Sequence, residues 1–247
     1  MLRARRFFLS YLRRLASVAA MTDAGQQKFD AVTLSAENLA CTRGGRRVFA
    51  GLSFSLENGG LLYLRGPNGM GKSTLLRLIA GLTPAREGTL RYGGDIWRGS
   101  RAAEAEAVIY AGHENALKPV LTLKEHAENY VKLMTGASLS DDALEDAAAV
   151  FDLTRLLDQP ARFFSSGQKH RASLMRFALV RRPLWLMDEP TVGLDSANRQ
   201  ALEGLMARHL AAGGLIIAAT HDPIALEGAE LNLKDYQPKI TIDEAWV

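Results

Sequence analysis

From Val32 onwards, short apolar runs alternate along the chain with segments whose apolar residues recur at helical spacing. The short runs predict strands, in chain order at 32–39, 52–56, 61–64, 89–92, 107–111, 184–187 and 215–219. Two of these runs, Leu184–Met187 and Leu215–Ala219, contain no polar residue. Strands that are buried on both faces have this composition, so we predict a mostly parallel sheet that is covered on both sides.

The segments between these strands have helical patterns. The run 73–80 follows a glycine-rich turn, and most of the chain from Thr122 to about Arg181 has helical periodicity. One stripe in this second region consists of Leu123, His126, Tyr130 and Leu133. The pattern therefore predicts an α/β fold with a helical insertion in its middle.

Length and composition are ordinary for one globular domain. The chain has 247 residues, of which 47% are hydrophobic and 23% are charged. The sequence contains no run of about 18 or more apolar residues, so we expect any membrane role to come from a partner. The single cysteine, Cys41, excludes an internal disulfide, and we expect it to be a small core residue.

The formal net charge of +3 is unevenly distributed. The first 20 residues contain five arginines and no acidic residue, so the remainder of the chain carries a net charge of −2. By this measure the body of the protein is not basic enough for a nucleic-acid binder, and we expect no nucleic-acid partner.

Three interpretations of the basic segment at 1–20 are open. It could precede the true start of the protein, since Met21 opens a polar stretch. An arginine-rich, acid-free amphipathic segment is also typical of a mitochondrial transit peptide, and it could equally lie on an anionic membrane surface. It is a poor secretory signal, because Arg13 and Arg14 interrupt its apolar run.

The strongest chemical signal is a glycine-rich turn that fits the pattern G-x-x-x-x-G-K-[ST]. It comprises Gly66, Pro67, Asn68, Gly69, Met70, Gly71, Lys72, Ser73 and Thr74. The turn follows a predicted strand and opens a predicted helix, where backbone N–H groups and the helix N-terminus attract phosphate. We therefore predict an ATP-binding loop in which Lys72 reaches the β- and γ-phosphates and the Ser73 hydroxyl binds Mg²⁺.

Two carboxylates follow the predicted strand 184–187. Asp188 stands at the carboxyl end of the strand, where it can hold Mg²⁺ through water as the second metal-anchoring acid of a P-loop enzyme does. Glu189 leaves the strand one residue later and can polarise an attacking water as the general base. Together with Lys72, these acids predict hydrolysis of a nucleoside triphosphate.

A second helix start also has the features of an anion site. Phe164-Ser165-Ser166-Gly167-Gln168 precedes a helix that runs to Leu179, and Ser165 is a good N-cap for it. This segment resembles the signature of the ABC ATPases, which is usually L-S-G-G-Q. The departures are Phe164 in place of leucine and Ser166 in place of the first glycine.

The resemblance covers roughly residues 32–227. It implies a P-loop NTPase core of the ABC ATPase type, with a mostly parallel sheet, an antiparallel β subdomain and a helical subdomain insertion. It also implies a dimer, because in this family the signature of one subunit closes over the nucleotide held by the other. The residues that would act in trans are Ser165, Ser166, Gly167 and Gln168.

The same resemblance assigns roles to four further residues. Asp195 matches the D-loop that crosses the dimer interface, and His221 matches the switch histidine at the γ-phosphate. His113 stands where the family usually has a glutamine, so its part in sensing Mg²⁺ and the membrane partner is open. Arg43 stands where the family usually stacks an aromatic ring on adenine, and it either stacks in the same way or is a solvated charge.

A finer resemblance is to the ATP-binding subunits of the cytochrome c maturation system, also described as heme exporter ATPases. It is carried by Cys41-Thr42-Arg43, by Gly112-His113, by Leu121 to His126 and by Gly213 to Pro223. It implies transmembrane permease subunits as partners and a peripheral position on the cytoplasmic face of a bacterial inner membrane. The alternative is the matrix side of a mitochondrial inner membrane.

In that system, ATP hydrolysis would drive heme export or the release of a heme-loaded chaperone. The chain has no C-x-x-C-H motif, and its five histidines fall at motif positions or in predicted helices, so we expect no direct heme binding. Three other functions are open: the ATPase of another ABC transporter, a soluble ABC ATPase, and a P-loop kinase. The single P-loop argues against the second, and the signature with His221 argues against the third.

These patterns also predict the domain organisation. We expect an N-terminal extension at 1–30 and an ABC ATPase domain at 31–236, with a helical subdomain at roughly 115–175. A short C-terminal tail would follow at 237–247.

Overall fold

The computed structural model describes residues 28–97 and 106–238. The predicted basic segment at 1–20 lies outside the described residues, as do most of the extension at 1–30 and most of the tail at 237–247. The interpretations of these segments therefore stay predictions.

Nine strands and six helices lie entirely within the described ranges. The strands are β1 (Leu34–Arg43), β2 (Arg46–Leu56), β3 (Leu61–Arg65), β4 (Glu87–Tyr92), β5 (Asp95–Ile96), β6 (Val108–Ala111), β7 (Leu184–Asp188), β8 (Leu215–Ala219) and β9 (Ala229–Asn232). The helices are α1 (Lys72–Ile79), α2 (Leu123–Thr135), α3 (Asp141–Val150), α4 (Ser166–Leu174), α5 (Arg176–Leu179) and α6 (Ser196–Ala211). Short 3-10 turns lie at Thr154–Leu156, Ala161–Phe163 and Leu233–Tyr236.

The strands form two sheets of different kinds. Five strands pair in parallel in the order β6-β7-β8-β3-β9. The other four pair antiparallel in the order β2-β1-β4-β5. Helices α2 to α5 form a helical insertion between β6 and β7. This arrangement confirms the predicted fold class of a mostly parallel core, an antiparallel β subdomain and a helical insertion.

The parallel sheet lies between two hydrophobic cores. On β3, Leu61 and Tyr63 join the core formed with the helical insertion and α6, whereas Leu62 and Leu64 join the core formed with α1 and the antiparallel sheet. On β7, Trp185 and Met187 likewise join the first of these cores, and Leu184 and Leu186 join the second. Because successive side chains of a strand point to opposite faces, a sheet covered on both sides requires unbroken apolar runs. The sequence contains these runs for that reason.

The helical insertion begins at a capping box. Thr122 Oγ1 accepts a hydrogen bond from the backbone N–H of Glu125, and the Glu125 side chain accepts one from the N–H of Thr122. The buried face of α2 consists of Leu123, Ala127 and Val131. The predicted stripe is therefore wrong at Leu133, which is 83% exposed. In the part of the chain that the structure covers, no helix is long and apolar enough to span a bilayer.

Candidate functional site

The glycine-rich turn joins β3 to α1 at the carboxyl edge of the parallel sheet. Gly66, Gly69 and Gly71 have φ angles of 127°, 83° and 99°, which L side chains rarely adopt. A Cβ at Gly71 would meet Val48 Cγ1 at 2.6 Å, because the β1–β2 hairpin packs against the turn. No described side chain caps the N-terminus of α1, so its first N–H groups are left for an anion.

Lys72 is the first residue of α1 and is 6% exposed. Its Nζ donates a hydrogen bond to the carbonyl of Gly66 at 2.6 Å and lies 2.8 Å from His221 Nε2. Burial lowers the pKa of Lys72, while the nearby carboxylates of Glu189 and Asp188 act in the opposite direction. The ammonium group is thus held by acceptor oxygen and nitrogen atoms that a phosphate could replace.

His221 directly follows Thr220 at the end of β8 and meets the turn from the other side. Its Nε2 lies 3.0 Å from Asn68 Oδ1 and 3.6 Å from Glu189 Oε1. Its backbone N–H donates to Glu189 Oε2 at 3.4 Å. His221 Nε2 is thus within hydrogen-bond distance of both the Lys72 ammonium and the phosphate-binding turn.

Asp188 and Glu189 end β7 beside these groups. Asp188 is 5% exposed, and its buried Oδ2 has no hydrogen-bond partner among the described residues. Glu189 has a φ of 51°, a left-handed conformation that costs a non-glycine residue about 1–3 kcal/mol and that clusters at functional sites. Its N–H donates to the carbonyl of Ala219 at 2.7 Å, which holds it against the end of β8.

These residues meet in one cavity of about 580 Å³. Its lining consists of Arg43, Val48, Asn68, Gly69, Gly71, Lys72, Ser73, Thr74, His113, Asp188, Glu189, Val192, His221 and Asp222. Sequence reasoning named most of these residues but missed Val48, Val192 and Asp222. The other predicted loop residues, Gly66, Pro67 and Met70, belong to the same turn without lining the cavity.

The donor set fits a magnesium ion carried by a nucleotide. The described residues contain no cluster of three or more His, Cys, Asp or Glu side chains that could hold a metal alone. Magnesium in a nucleotide site needs only one or two protein oxygens, since phosphates and water supply the rest. Asp188, with its unpartnered buried Oδ2, and the hydroxyl of Ser73 line the same cavity and supply that number.

Arg43 and His113 approach the cavity from opposite elements. Arg43 is the last residue of β1, before a two-residue turn at Gly44 and Gly45 with φ angles of 57° and 77°. The pair Gly44-Gly45 in the sequence could have predicted this hairpin, which also places Val48 at the cavity. His113 lies in the loop after β6, and both predicted side chains are exposed at the cavity wall.

The signature-like segment starts α4 away from this cavity. Ser165 Oγ accepts from the N–H of Gln168 at 3.2 Å, and the Ser165 N–H donates to Gln168 Oε1 at 2.8 Å. Ser165 and Ser166 are exposed, whereas Phe164 is 5% exposed and packs in the core as the usual leucine would. Of the described residues that line the cavity, none comes from 164–168.

Two contacts join the start of α4 to the chain after Glu189. His170 Nε2 lies 3.0 Å from the carbonyl of Pro190, and burial lowers the pKa of this histidine. A Cβ on Gly167 would lie 3.5 Å from the carbonyl of Gly193. Asp195, three residues before Asn198, caps α6 by accepting from the N–H of Asn198 at 2.8 Å. Sequence reasoning assigned His170 no role at the site.

Comparison with known proteins gives consistent matches. The family model described as "ABC transporter" matches residues 49–192. The chain is 45% identical over 206 residues to "Cytochrome c biogenesis ATP-binding export protein CcmA" of Paramagnetospirillum magneticum, covering 83% of this chain and 95% of that protein. It is also 45% identical over 200 residues to the protein of the same name from Rhodospirillum rubrum, covering 81% and 84%.

Solved structures share the fold. A putative ABC transporter ATP-binding protein from Pyrococcus furiosus aligns with a TM-score of 0.73 and 20% identity, covering 83% of this chain and all of that one. An ATP-binding subunit of an ABC transporter aligns with a TM-score of 0.67 and 27% identity, covering 76% and 79%.

Proposed function

The chain belongs to the ABC transporter family of ATP-binding proteins, and from this premise we propose that it is the ATP-hydrolysing subunit of a cytochrome c biogenesis exporter. The main observation in favour is that Lys72 at the start of α1, Asp188 and Glu189 at the end of β7, and His221 after β8 meet in one cavity of about 580 Å³. The CcmA proteins that it resembles at 45% identity carry cytochrome c biogenesis and export in their names.

ATP binds with its phosphates on the turn from Gly66 to Thr74. Lys72 exchanges the Gly66 carbonyl and His221 for the β- and γ-phosphates, while the N–H groups at the start of α1 face the same anion. Ser73 and, through water, Asp188 would hold Mg²⁺. The ion, when bound, would neutralise negative charge on the triphosphate.

Hydrolysis transfers the γ-phosphoryl group to water. Glu189 accepts a proton from the attacking water, whose oxygen bonds to the γ-phosphorus as the bond to the β,γ-bridging oxygen breaks. His221 holds the γ-phosphate in place. The left-handed backbone at Glu189 and its 2.7 Å bond to Ala219 support this role, because they aim the carboxylate from a fixed turn.

A second copy of the chain completes each site. Its Ser165, Ser166, Gly167 and Gln168 close over the γ-phosphate, and its Asp195 lies at the interface. The exposure of Ser165 and Ser166, and their position outside the cavity of their own chain, support action in trans. The start of α4 adds a second positive helix end to the phosphate cage.

Two residues are assigned less central roles. Arg43 stacks its guanidinium on adenine, with Val48 beside it in the cavity wall. His113 replaces the usual glutamine by contacting the water or phosphate shell of the nucleotide. Both side chains are at the cavity wall, which these roles require.

Membership in this family implies membrane partner subunits as well as dimerisation. We assign the chain to the cytoplasmic face of a bacterial inner membrane, bound to transmembrane permease subunits through the helical insertion and the His113 loop. The matrix side of a mitochondrial inner membrane is the alternative if the basic segment is a transit peptide. The driven step is heme export or the release of a heme-loaded chaperone.

Phosphate release by the purified full chain tests the proposal. Mg²⁺ and ATP should give free phosphate, and Glu189→Gln should nearly abolish turnover without preventing nucleotide binding. Full activity in Glu189→Gln would remove this residue from the base role, and phosphate passed to an added acceptor instead of water would favour a kinase. Purification of the tagged chain from membranes, with mass spectrometry of its partners and its N-terminus, tests the assignment to a membrane complex.

A further inference from the structure

Arg65 connects the loop of His221 to the C-terminal strand. It is the last residue of β3, and its Nη1 donates to the carbonyl of Thr220 at 2.7 Å. Its Nε donates to Glu230 Oε1 at 3.0 Å on β9. The guanidinium also lies 4.8 Å from the centre of the Tyr63 ring. Arg65 is not among the residues that line the nucleotide cavity.

The Thr220 carbonyl needs this donor because the sheet ends there. The parallel pairing of β3 with β8 stops at Leu64 and Ala219, after which Gly66 turns into the phosphate-binding loop. Thr220 is 1% exposed, so water does not readily replace a strand partner for its carbonyl. A charged donor such as a guanidinium makes a stronger hydrogen bond than a neutral amide.

The orientation of Arg65 is itself fixed from two sides. Glu230 faces Tyr63 in the parallel register of β3 and β9, which brings its carboxylate alongside the arginine two residues later. The arginine side chain is 25% exposed and the glutamate 61% exposed, so the pair orients the guanidinium rather than contributing much stability by itself.

The loop that carries His221 has a second arginine on its far side. Arg199, on α6, donates to Asp222 Oδ2 at 3.0 Å. Thr220 Oγ1 accepts from the N–H of Asp222 at 3.1 Å, which closes a tight turn around His221. Arg65 is therefore the attachment of this turn to β3, the strand that also leads into the phosphate-binding loop.

We propose that Arg65 is a positioning residue for His221. By holding the Thr220 carbonyl, it sets the distance between the His221 side chain and the phosphate-binding loop that β3 supports. This inference rests on the proposed function, because it takes ATP to occupy the cavity with its γ-phosphate beside His221. It predicts that Arg65 affects recognition of the γ-phosphate and not of the rest of the nucleotide.

Equilibrium binding of ATP and of ADP separates these effects. The measurements use the full chain with Glu189→Gln to prevent turnover. Adding Arg65→Met should weaken ATP binding about fivefold and leave ADP binding within about twofold, since ADP lacks the group that His221 contacts. His221→Ala should give the same pattern. The double variant should lose no more ATP affinity than His221→Ala alone, because Arg65 acts through His221.

Arg91→Met is the matched control. Arg91 is also a strand arginine whose Nη1 donates to a backbone carbonyl, that of Gly94 at 3.3 Å, but it lies in the antiparallel sheet. It should change neither affinity. If Arg65→Met does not fold, Glu230→Ala loosens the same guanidinium and should shift ATP binding alone, by a smaller factor.

Equal losses of ATP and ADP affinity in Arg65→Met would overturn the inference, as would losses from Arg65→Met and His221→Ala that add. An unchanged ATP affinity in Arg65→Met would also overturn it while leaving the proposed function intact. Failure of the chain with Glu189→Gln as its sole change to bind either nucleotide would instead count against the proposed function itself.

Discussion

Lys72 Nζ lies 2.8 Å from His221 Nε2, although 149 positions separate the two residues in the chain. They meet because β3, which leads to Lys72, pairs in parallel with β8, which ends just before His221. The Lys72 ammonium that contacts His221 here is the group expected to contact a triphosphate. In the proposed function, nucleotide binding exchanges this internal contact between the two residues for contacts from both to phosphate.

Lys72→Ala should weaken ATP binding by at least about tenfold. A charge-assisted hydrogen bond to phosphate is worth more than about 1 kcal/mol, and Lys72→Ala removes both that bond and the positive charge of the ammonium. Titration of the full chain with ATP measures this loss. Lys234→Ala, which removes an exposed lysine, should leave the affinity unchanged. Equal affinities in the parent chain and Lys72→Ala would exclude the proposed phosphate cradle.

Removal of magnesium should stop turnover, and Asp188→Asn should reproduce much of that loss. The carboxylate oxygen Asp188 Oδ2 is buried without a partner in the described residues, and the amide has no negative charge for a metal. We expect phosphate release to fall by about 100-fold or more, since a metal contributes several kcal/mol to the transition state. Turnover by Asp188→Asn that follows magnesium concentration as in the parent chain would contradict the assignment.

Gly71→Ala should destabilise the protein more than Gly94→Ala does. Both glycines have positive φ angles, 99° and 87°, so both variants carry the left-handed penalty of about 1–2 kcal/mol. A Cβ at Gly71 would also meet Val48 and Phe49, whereas one at Gly94 would have no heavy atom within 4 Å. Overpacking adds about 1–3 kcal/mol.

Unfolding in denaturant measures both glycine variants against the parent chain. Equal free energies of unfolding for Gly71→Ala and Gly94→Ala would show that the hairpin does not press on the phosphate-binding loop. A difference in the predicted direction should be accompanied by weaker ATP binding in Gly71→Ala alone.

The stability of the fold should decline in mild acid because of His209. Its ring stacks on Trp185 with centroids 3.8 Å apart, and its Nε2 lies 3.1 Å from the carbonyl of Pro183. Burial lowers the pKa of His209 to about 4, against about 6.5 in an unfolded chain. The folded state thus resists protonation. The contribution of neutral His209 to the free energy of unfolding is complete above about pH 6.5. It decreases as the pH falls to about 4, by up to about 3 kcal/mol.

His209→Phe tests this source of pH dependence. The variant keeps an aromatic ring against Trp185 but cannot titrate. Free energies of unfolding measured between about pH 7 and about pH 4 should fall less steeply in His209→Phe than in the parent chain. Parallel curves would mean that His209 does not resist protonation in the folded protein.

The parallel core could be predicted from sequence because its strands are buried on both faces and contain little but apolar residues. The edge strand β9 could not, since only Leu231 of its four residues is buried. Leu133 was misassigned because the buried face of α2 follows a four-residue spacing, from Leu123 through Ala127 to Val131. Leu133 does not fall on that spacing. The spacing of apolar residues within α2 does not reveal which of its faces packs into the core.

The meeting of the candidate site residues was predictable for a different reason. Lys72, Asp188 and His221 each stand within two residues of a strand or helix end, and parallel strands bring such ends to one edge. Val48 and Asp222 were missed because their place in the cavity depends on how the hairpin and the His221 loop approach it. Those approaches are set by tertiary packing and leave no local pattern in the sequence.

In the proposed dimer, two copies of the chain enclose ATP, with the helix start at Ser165 of one copy facing Lys72 of the other. The most direct test is the solution mass of the chain carrying Glu189→Gln, measured with ATP and with ADP. We expect twice the mass of one chain with ATP and a single chain with ADP. Ser166→Asp keeps the Ser165 cap but sets a negative charge against phosphate, and it should abolish the ATP-dependent dimer. The mass of one chain in ATP, or a dimer that persists with ADP and with Ser166→Asp, would contradict the enclosure of ATP by two copies.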